Sequence, residues 1–289
     1  MTHEDRHRGR HPGDDRLFSA KELPALRAAT DDLSWLLSRG YAELSALKLV
    51  GDRHELTVRQ RQAVGRCACS DAERRSRQSR RLTRAEIAGQ PLAIDGLNCL
   101  ITIESALSHG IVLRGRDGAL RDMASVHGTY RQVAETTFGV EMIGRHLHGA
   151  REKDRAKDPA RDPAQNLPDA HATDVPSVRW FLDRPVANSG RLRALLLEVA
   201  ERRGWPWTVE LVPNPDAVLV GLPDVVATSD AYILGRCARW FDLLDSILFG
   251  EPPGGLSDPG PGPALAARPG LWLLDLGSPP EPSSGIDGS

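Results

Sequence analysis

Four aspartates that follow predicted strands have the clearest chemical potential in this sequence. Asp95 ends LAID, Asp183 ends WFLD, Asp230 ends VVATSD, and Asp216 follows TVELV after a short turn. Because the carboxyl ends of parallel strands meet at one edge of an open sheet, we expect these carboxylates to converge there. Like charges repel at short distance unless a cation neutralises them. Oxygen ligands without nearby Cys or His favour Mg²⁺ or Mn²⁺ over Zn²⁺.

An acidic cluster of this kind is typical of metal-assisted phosphodiester hydrolysis, in which divalent ions hold the phosphate and activate a water molecule. The simpler alternative is that each aspartate only caps the helix after its strand. A phosphatase of the haloacid dehalogenase type requires a second Asp two residues after Asp95, where this chain has Leu97. The sequence also lacks GxxxxGK[ST] and a glycine-rich turn after Asp95, which excludes P-loop and dinucleotide-binding classes.

A run of arginines is the second candidate for chemistry. It holds six arginines without an interleaved acid: Arg74, Arg75, Arg77, Arg80, Arg81 and Arg84. Side by side on a helix, these charges repel one another unless an anion compensates them. The phosphate backbone of a nucleic acid is one such anion, and guanidinium groups suit it. An acidic protein partner, the acidic C-terminal segment and a merely solvated helix face are the alternatives.

Composition sets the class of protein. The chain has 289 residues, of which 40% are hydrophobic and 26% charged, as in globular proteins with one large or two ordinary domains. No apolar run approaches the ~20 residues that span a bilayer, and no apolar signal segment follows the charged N-terminus. The four scattered cysteines are too few for a disulfide framework. We therefore expect a cytoplasmic protein without a membrane segment.

The N-terminal sequence predicts a flexible arm followed by helices. Residues 1–20 form the arm, because the stretch up to residue 16 is rich in His, Arg and Asp and has no apolar period. Residues 21–88 carry leucine and valine at helical spacing. Gly40 is predicted to end one helix, and Thr57 to begin another that runs into the arginines. We expect a small all-α module with one strongly basic end.

Residues 89–249 alternate between strand and helix patterns, which predicts a parallel sheet covered by helices. Asp117-Gly118 predicts a hairpin with a type I′ turn, and residues 231–249 predict one final helix. The charged, proline-punctuated segment 149–176 is predicted to be a linker, and 250–289 a disordered tail in which LWLLDL (271–276) could dock. The predicted fold class is α/β: an N-terminal all-α module followed by a parallel-sheet α/β domain.

Short motifs in this order resemble known families. IDGLN followed by an apolar helix, WFLDRPVANSG and VVATSD resemble the PIN-like nucleases of the NYN type. The N-terminal RGY and VGDR segments resemble DUF434 proteins, whose C-terminal part is PIN-like, so the resemblance covers about residues 25–248. It implies that Asp95, Asp183 and Asp230 bind metal, with Asp216 as a fourth acid, and that the substrate is RNA. Asn98 matches the Asn of the DGxN element, which orients a ligand or holds the loop.

The sequence thus predicts a Mg²⁺- or Mn²⁺-dependent ribonuclease with the four aspartates as its metal-binding and catalytic residues. The arginines between residues 74 and 84 are predicted to contact the RNA backbone. The alternative hypothesis is a non-catalytic module that keeps the PIN-like fold and binds a nucleic acid or a protein.

Overall fold

A computed structural model describes residues 6–124, 128–157, 177–250 and 271–278, and the side chains of 149–157 are not described. The predicted α/β class is confirmed, because N-terminal helices precede a parallel sheet of six strands. The N-terminal helices are α1 (Asp14–Leu17), α2 (Leu23–Ser38), α3 (Glu43–Arg53), α4 (Val58–Cys67) and α5 (Asp71–Arg80).

Two capping boxes start the last two of these helices. Thr57 and Gln60 exchange side-chain and backbone hydrogen bonds at the start of α4, as Ser70 and Glu73 do at the start of α5. Thr57 therefore begins a helix as predicted. The arginine run does not continue that helix, because Ser70 starts a separate one.

The remaining elements alternate between strands and helices. In chain order they are β1 (Arg81–Leu82), β2 (Leu92–Asp95), α6 (Gly96–Leu107), β3 (Ile111–Arg114), β4 (Leu120–Asp122), α7 (Thr136–Lys157), β5 (Val178–Asp183), α8 (Ser189–Arg203), β6 (Trp207–Val212), α9 (Pro215–Gly221), β7 (Val225–Ala227), α10 (Ala231–Leu234), β8 (Arg239–Phe241), α11 (Leu243–Phe249) and β9 (Trp272–Asp275).

The main sheet has the strand order β1-β8-β7-β2-β5-β6, and all of its pairings are parallel. From β2 the chain moves outward through β5 and β6, and then crosses back to β7 and β8 on the other side. The strand order therefore reverses between β2 and β7. In open parallel sheets, ligands bind outside the carboxyl ends of the strands at such a switch point.

The central strands of the main sheet are buried on both faces. Leu92 and Ile94 face the core that α6, α7, α8 and α11 build on one side. Ala93 and Phe181 face a smaller core on the other side, which contains residues of α9 and α10. Burial on both faces explains why these strands are nearly continuous apolar runs. None of the described helices combines the length and apolarity needed to cross a membrane.

A small second sheet joins the helical and α/β parts. Its strands β3 and β4 form an antiparallel hairpin, and β9 lies parallel to β3 on the other side. Leu113, Leu274 and Leu276 pack with buried residues of α2, α3 and α4 in one core. The LWLLDL segment therefore docks, whereas 251–270 and 279–289 lie outside the described residues.

The N-terminal arm also makes specific contacts, which differs from the predicted flexible segment. Arg8 pairs with Glu104, which is buried in α6. Asp14 is buried in α1, and its Oδ2 accepts a hydrogen bond of 2.8 Å from Arg59. Charged residues that looked solvated in the sequence thus have buried partners. The predicted boundary at residue 88 is bridged as well, because β1 of the helical segment belongs to the main sheet.

Three further predictions differ from the structure. The predicted helix over 231–249 is interrupted by β8, whose Trp240 and Phe241 are buried beside β7. The loop of the β3–β4 hairpin spans residues 115–119, and is therefore longer than a two-residue type I′ turn. Helix α7 continues to Lys157 inside the predicted linker, of which 158–176 lie outside the described residues.

Candidate active site at the carboxyl edge of the sheet

The structure places all four predicted aspartates at one edge of the main sheet. Asp95 is the last residue of β2, and Asp183 is the last residue of β5. Asp230 follows β7, and Asp216 follows β6 as the second residue of α9. These strands are neighbours in the order β7-β2-β5-β6, so the acids flank the switch point. Local sequence patterns were sufficient to predict this placement.

The charges of these aspartates act on one another. Burial raises the pKa of Asp95 to about 7, and the charges of Asp230 and Asp216 add to the rise, against hydrogen bonds that lower it. Burial raises the pKa of Asp216 too, and so do the charges of Asp230 and Asp183. Burial also raises the pKa of Asp183. The four carboxylates therefore form one electrostatically coupled acidic group.

This acidic group has no basic partner within the part of the chain that the structure describes. None of the four aspartates is in an ion pair with Arg, Lys or His there. Other buried carboxylates do have an arginine partner, namely Glu104, Asp117, Asp122 and Asp224. A group of carboxylates without such partners retains its full mutual repulsion, which a bound cation would relieve.

Asp95 is held by two side-chain hydrogen bonds. Thr228 Oγ1 donates to Asp95 Oδ2 at 2.6 Å, and Asn98 Nδ2 donates to the same oxygen at 2.7 Å. Thr228 Oγ1 also accepts from the backbone N–H of Asp230 at 3.0 Å. Asn98 therefore holds the Asp95 side chain. Thr228 was missed by the sequence reasoning, although it is the first residue of the TSD motif that pointed to Asp230.

The alternative hypothesis, that each aspartate caps the helix after its strand, holds for one of the four. Asp230 Oδ1 accepts hydrogen bonds from the backbone N–H groups of Tyr232 and Ile233, and so caps α10. Asp95 occupies the N-cap position of α6, but its side chain makes no capping hydrogen bond. Capping therefore explains the orientation of Asp230 and leaves Asp95 without a structural role of this kind.

The types of ligand atom at this site favour a metal ion, whereas the spacing of its acidic side chains does not. Carboxylate and hydroxyl oxygens around Asp95 are the ligands that Mg²⁺ and Mn²⁺ prefer. Across the described ranges, however, no three or more His, Cys, Asp or Glu side chains are grouped closely enough to hold a metal ion. The four aspartates thus share the carboxyl edge of the main sheet, as predicted, but do not form a close group of metal ligands. Mg²⁺ often binds through only one or two carboxylates and keeps water in its remaining positions, which requires fewer protein ligands than such a group.

A buried ion-pair cluster supports the loop that carries Thr228 and Asp230. Asp117 Oδ2 lies 2.6 Å from both Arg77 Nη1 and Arg121 Nη2. Arg121 Nε donates to the carbonyl oxygen of Ser229 at 3.1 Å, and Arg77 Nη2 donates to that of Ala231 at 3.2 Å. Burial raises the pKa of Asp117, but the charges and hydrogen bonds of Arg121 and Arg77 outweigh it and hold the pKa at about 2.

Four of the six arginines in the predicted RNA-binding face have internal partners. Arg77 belongs to the cluster with Asp117. Arg80 donates to the carbonyl oxygen of Leu234 at 2.9 Å, Arg81 pairs with Asp245 at 3.0 Å, and Arg84 donates to the carbonyl oxygen of His146 at 2.6 Å. The side chains of the remaining two, Arg74 and Arg75, are without ion-pair or hydrogen-bond partners among the described residues.

Comparisons with known proteins locate two families in this chain. The model described as Protein of unknown function (DUF434) matches residues 25–80, which confirms that part of the resemblance. The model described as Domain of unknown function (DUF5616) matches residues 84–155 and 167–246, more than half of the chain. Neither of these is a model of a PIN-like nuclease.

A curated relative matches part of the chain. The uncharacterized protein MJ0935 of Methanocaldococcus jannaschii is 27% identical over 107 residues, which are 37% of this chain and 51% of that protein. The chain therefore spans about half the length of the relative that it matches. No solved structure matches the chain.

Proposed function

This chain belongs to the family described as Domain of unknown function (DUF5616), and we propose that it hydrolyses phosphodiester bonds of RNA with the aid of a divalent metal ion. The observation that carries the proposal is the group of four carboxylates at the switch point, for which the described residues supply no basic partner. The order of IDGLN, WFLDRPVANSG and VVATSD along adjacent strands supports a PIN-like interpretation of the α/β part.

Asp95 is the residue that would hold Mg²⁺ or Mn²⁺ first, together with one of Asp183, Asp216 and Asp230. When bound, the ion supplies positive charge to the phosphate and lowers the pKa of a water molecule. Thr228 and Asn98 keep the Asp95 carboxylate in one orientation through their hydrogen bonds to Oδ2. The cap on α10 similarly fixes Asp230.

A cleavage assay on the full chain tests the proposal. Single-stranded RNA with an end label should be cut in the presence of Mn²⁺ or Mg²⁺, and cutting should stop when a chelator is added. Since the metal binds the ionised carboxylates, it should also raise the melting temperature more at pH 8 than at pH 5. RNA that stays intact with either ion, together with unchanged melting temperatures, would contradict metal-dependent hydrolysis.

A binding module without catalysis is the second candidate. It is favoured by the spacing of the acids, because no group of three lies within coordination reach among the described residues. If the protein is such a module, RNA should bind to it but remain uncut in Mn²⁺, and this result would distinguish it from a nuclease.

The two arginines without internal partners provide a test of RNA contact that applies to both candidates. Replacing Arg74 and Arg75 together with Ala should weaken RNA binding and reduce the salt slope by about one to two, because each phosphate contact contributes about one unit. Filter binding over a salt series measures this slope. A control with Arg16→Ala and Lys21→Ala removes the same charge from exposed positions elsewhere and should leave the slope unchanged. Equal slopes in both double variants would exclude contact at Arg74 and Arg75.

A further inference from the structure

A second site lies at the same sheet edge, at the carboxyl ends of β1 and β8. It is a cavity of about 420 Å³ between these strands and α11. Leu82, Phe241 and Phe249 supply an apolar wall, while Arg81, Arg84 and Asp242 supply charge. Its volume is within the ~300–1,000 Å³ that is typical of small-molecule sites. The cavity is on the far side of β7 from Asp95, and the proposed function does not use it.

Two buried polar atoms of the cavity residues lack hydrogen-bond partners within the described chain. Arg84 Nη2 donates to the carbonyl oxygen of His146, but Arg84 Nη1 is buried and unpartnered. Asp242 is 5% exposed, and its Oδ1 accepts from the backbone N–H of Asp245, whereas its Oδ2 has no hydrogen bond. Asp242 Oδ2 does lie 3.4 Å from Arg81 Nη2, so it has an ionic partner. Buried groups of this kind are rarely left unsatisfied in native proteins, so Arg84 Nη1 is the atom that indicates a missing partner.

The charge balance of the cavity indicates that this partner is an anion. Asp245 is already paired with Arg81 at 3.0 Å and with Arg114 at 2.9 Å. Burial raises the pKa of Asp242 to about 7, so near neutrality this side chain carries only part of a negative charge. Arg84 has no carboxylate within ion-pair distance among the described residues. Its guanidinium is therefore the charge that lacks a counter-ion.

His146 and Ser246 favour binding over covalent chemistry at this site. Ser246 Oγ lies 2.8 Å from His146 Nε2, as a nucleophile and its base would. Burial, followed by the charge of Arg84, lowers the pKa of His146 to about 3. A histidine with so low a pKa is a poor base near neutral pH, so it does not activate the serine.

We propose that this cavity binds a phosphate monoester of nucleotide size, with the phosphate on Arg84 and the planar base against the apolar wall. The planar guanidinium matches a phosphate through paired hydrogen bonds. Phe249 is 38% exposed and offers a ring for stacking. Gln78 and Asp242 line the cavity and provide hydrogen-bonding groups for the polar edge of a base. A free mononucleotide and the phosphorylated end of an RNA share this chemistry.

Binding measurements with chelator present test the inference apart from any metal-dependent hydrolysis. Isothermal titration of the wild-type chain with nucleoside monophosphates should show binding at least about tenfold tighter than with the corresponding nucleosides or with inorganic phosphate. Short RNAs with a 5′-phosphate, a 3′-phosphate or hydroxyl ends then distinguish the two sources. Absence of binding by mononucleotides and by phosphorylated RNA ends alike would overturn the inference.

The variant Arg84→Met separates a ligand-binding arginine from a structural one. It keeps a long side chain but removes the uncompensated charge, so nucleotide affinity should fall at least about tenfold while the melting temperature of the ligand-free protein does not fall. Arg16→Met is the matched control on an exposed position and should change neither quantity. A melting temperature lowered by several degrees with unchanged nucleotide affinity would assign Arg84 to structure alone. Arg84→Lys, which keeps the charge, should retain part of the affinity.

Discussion

Asp95→Asn is expected to lower metal-dependent RNA cleavage on the order of 10³-fold and, at the same time, to stabilise the protein above neutral pH. The loss of activity follows because Asp95 is the buried carboxylate at the switch point of the sheet. RNA binding should change little, because Arg74 and Arg75 on α5 are separate from this carboxylate. Cleavage at the wild-type rate by the variant would contradict a role of Asp95 in the proposed hydrolysis.

The stability gain follows from proton linkage. The pKa of Asp95 is raised from 3.8 to about 7 in the folded protein, so the native state binds more protons than the unfolded state between these values. The contribution of Asp95 protonation to the free energy of unfolding is complete below the unfolded pKa of 3.8 and is lost as pH rises through 7. Above that, the buried ionised carboxylate costs up to about 4 kcal/mol, a cost that Asn avoids. Urea unfolding near pH 4.5 and near pH 8 should show a difference between variant and wild type that grows with pH. Asp31→Asn, at an exposed position, should show none.

Asp117→Asn is expected to produce the largest loss of stability, about 3–5 kcal/mol. The substitution leaves Arg77 and Arg121 buried without their shared anion. These arginines also hold the carbonyl oxygens of Ser229 and Ala231, so cleavage should fall together with stability. Chemical unfolding and the RNA cleavage assay measure the two effects.

Acid unfolding provides an independent check on Asp117. Its folded pKa is held at about 2, below the ordinary 3.8, so the ion pairs contribute stability above pH 3.8 and lose it as pH falls through 2. The difference in unfolding free energy between wild type and Asp117→Asn should therefore narrow over this range. Changing all three residues to apolar side chains of similar size should restore part of the stability. A constant difference at all pH values would contradict the ion-pair explanation.

Local patterns were enough to predict the edge where the aspartates lie. Leu92–Asp95 and Val178–Asp183 are short apolar runs that end in Asp, and parallel strands necessarily bring such ends together. The same logic failed for Arg239–Phe241, since a strand of three residues between helical segments is too short to show a period. Its presence in the sheet depends on pairing with β7, which no local pattern encodes.

The contacts of the charged side chains could not be predicted, because their partners are far away in sequence. The arginine run looked like an exposed basic face, yet Arg77 and Arg80 contact carbonyl oxygens more than a hundred residues further along the chain. The same holds for Arg8, whose partner Glu104 lies in α6. Sequence spacing shows how charges repel one another on a helix, but the compensating groups appear only after the chain folds.

The position of β9 has a consequence for folding during synthesis. The core of the N-terminal helices contains Leu26 and Val64 together with Leu113 from β3 and Leu274 from β9. A ribosome adds about 5–20 residues per second, so the helices leave the exit tunnel many seconds before their last core residues exist. Contacts of such sequence separation form slowly as well, because the intervening loop must first be closed. During this interval the parts of the N-terminal helical core that later contact β3 and β9 stay uncovered, and chaperones can bind there.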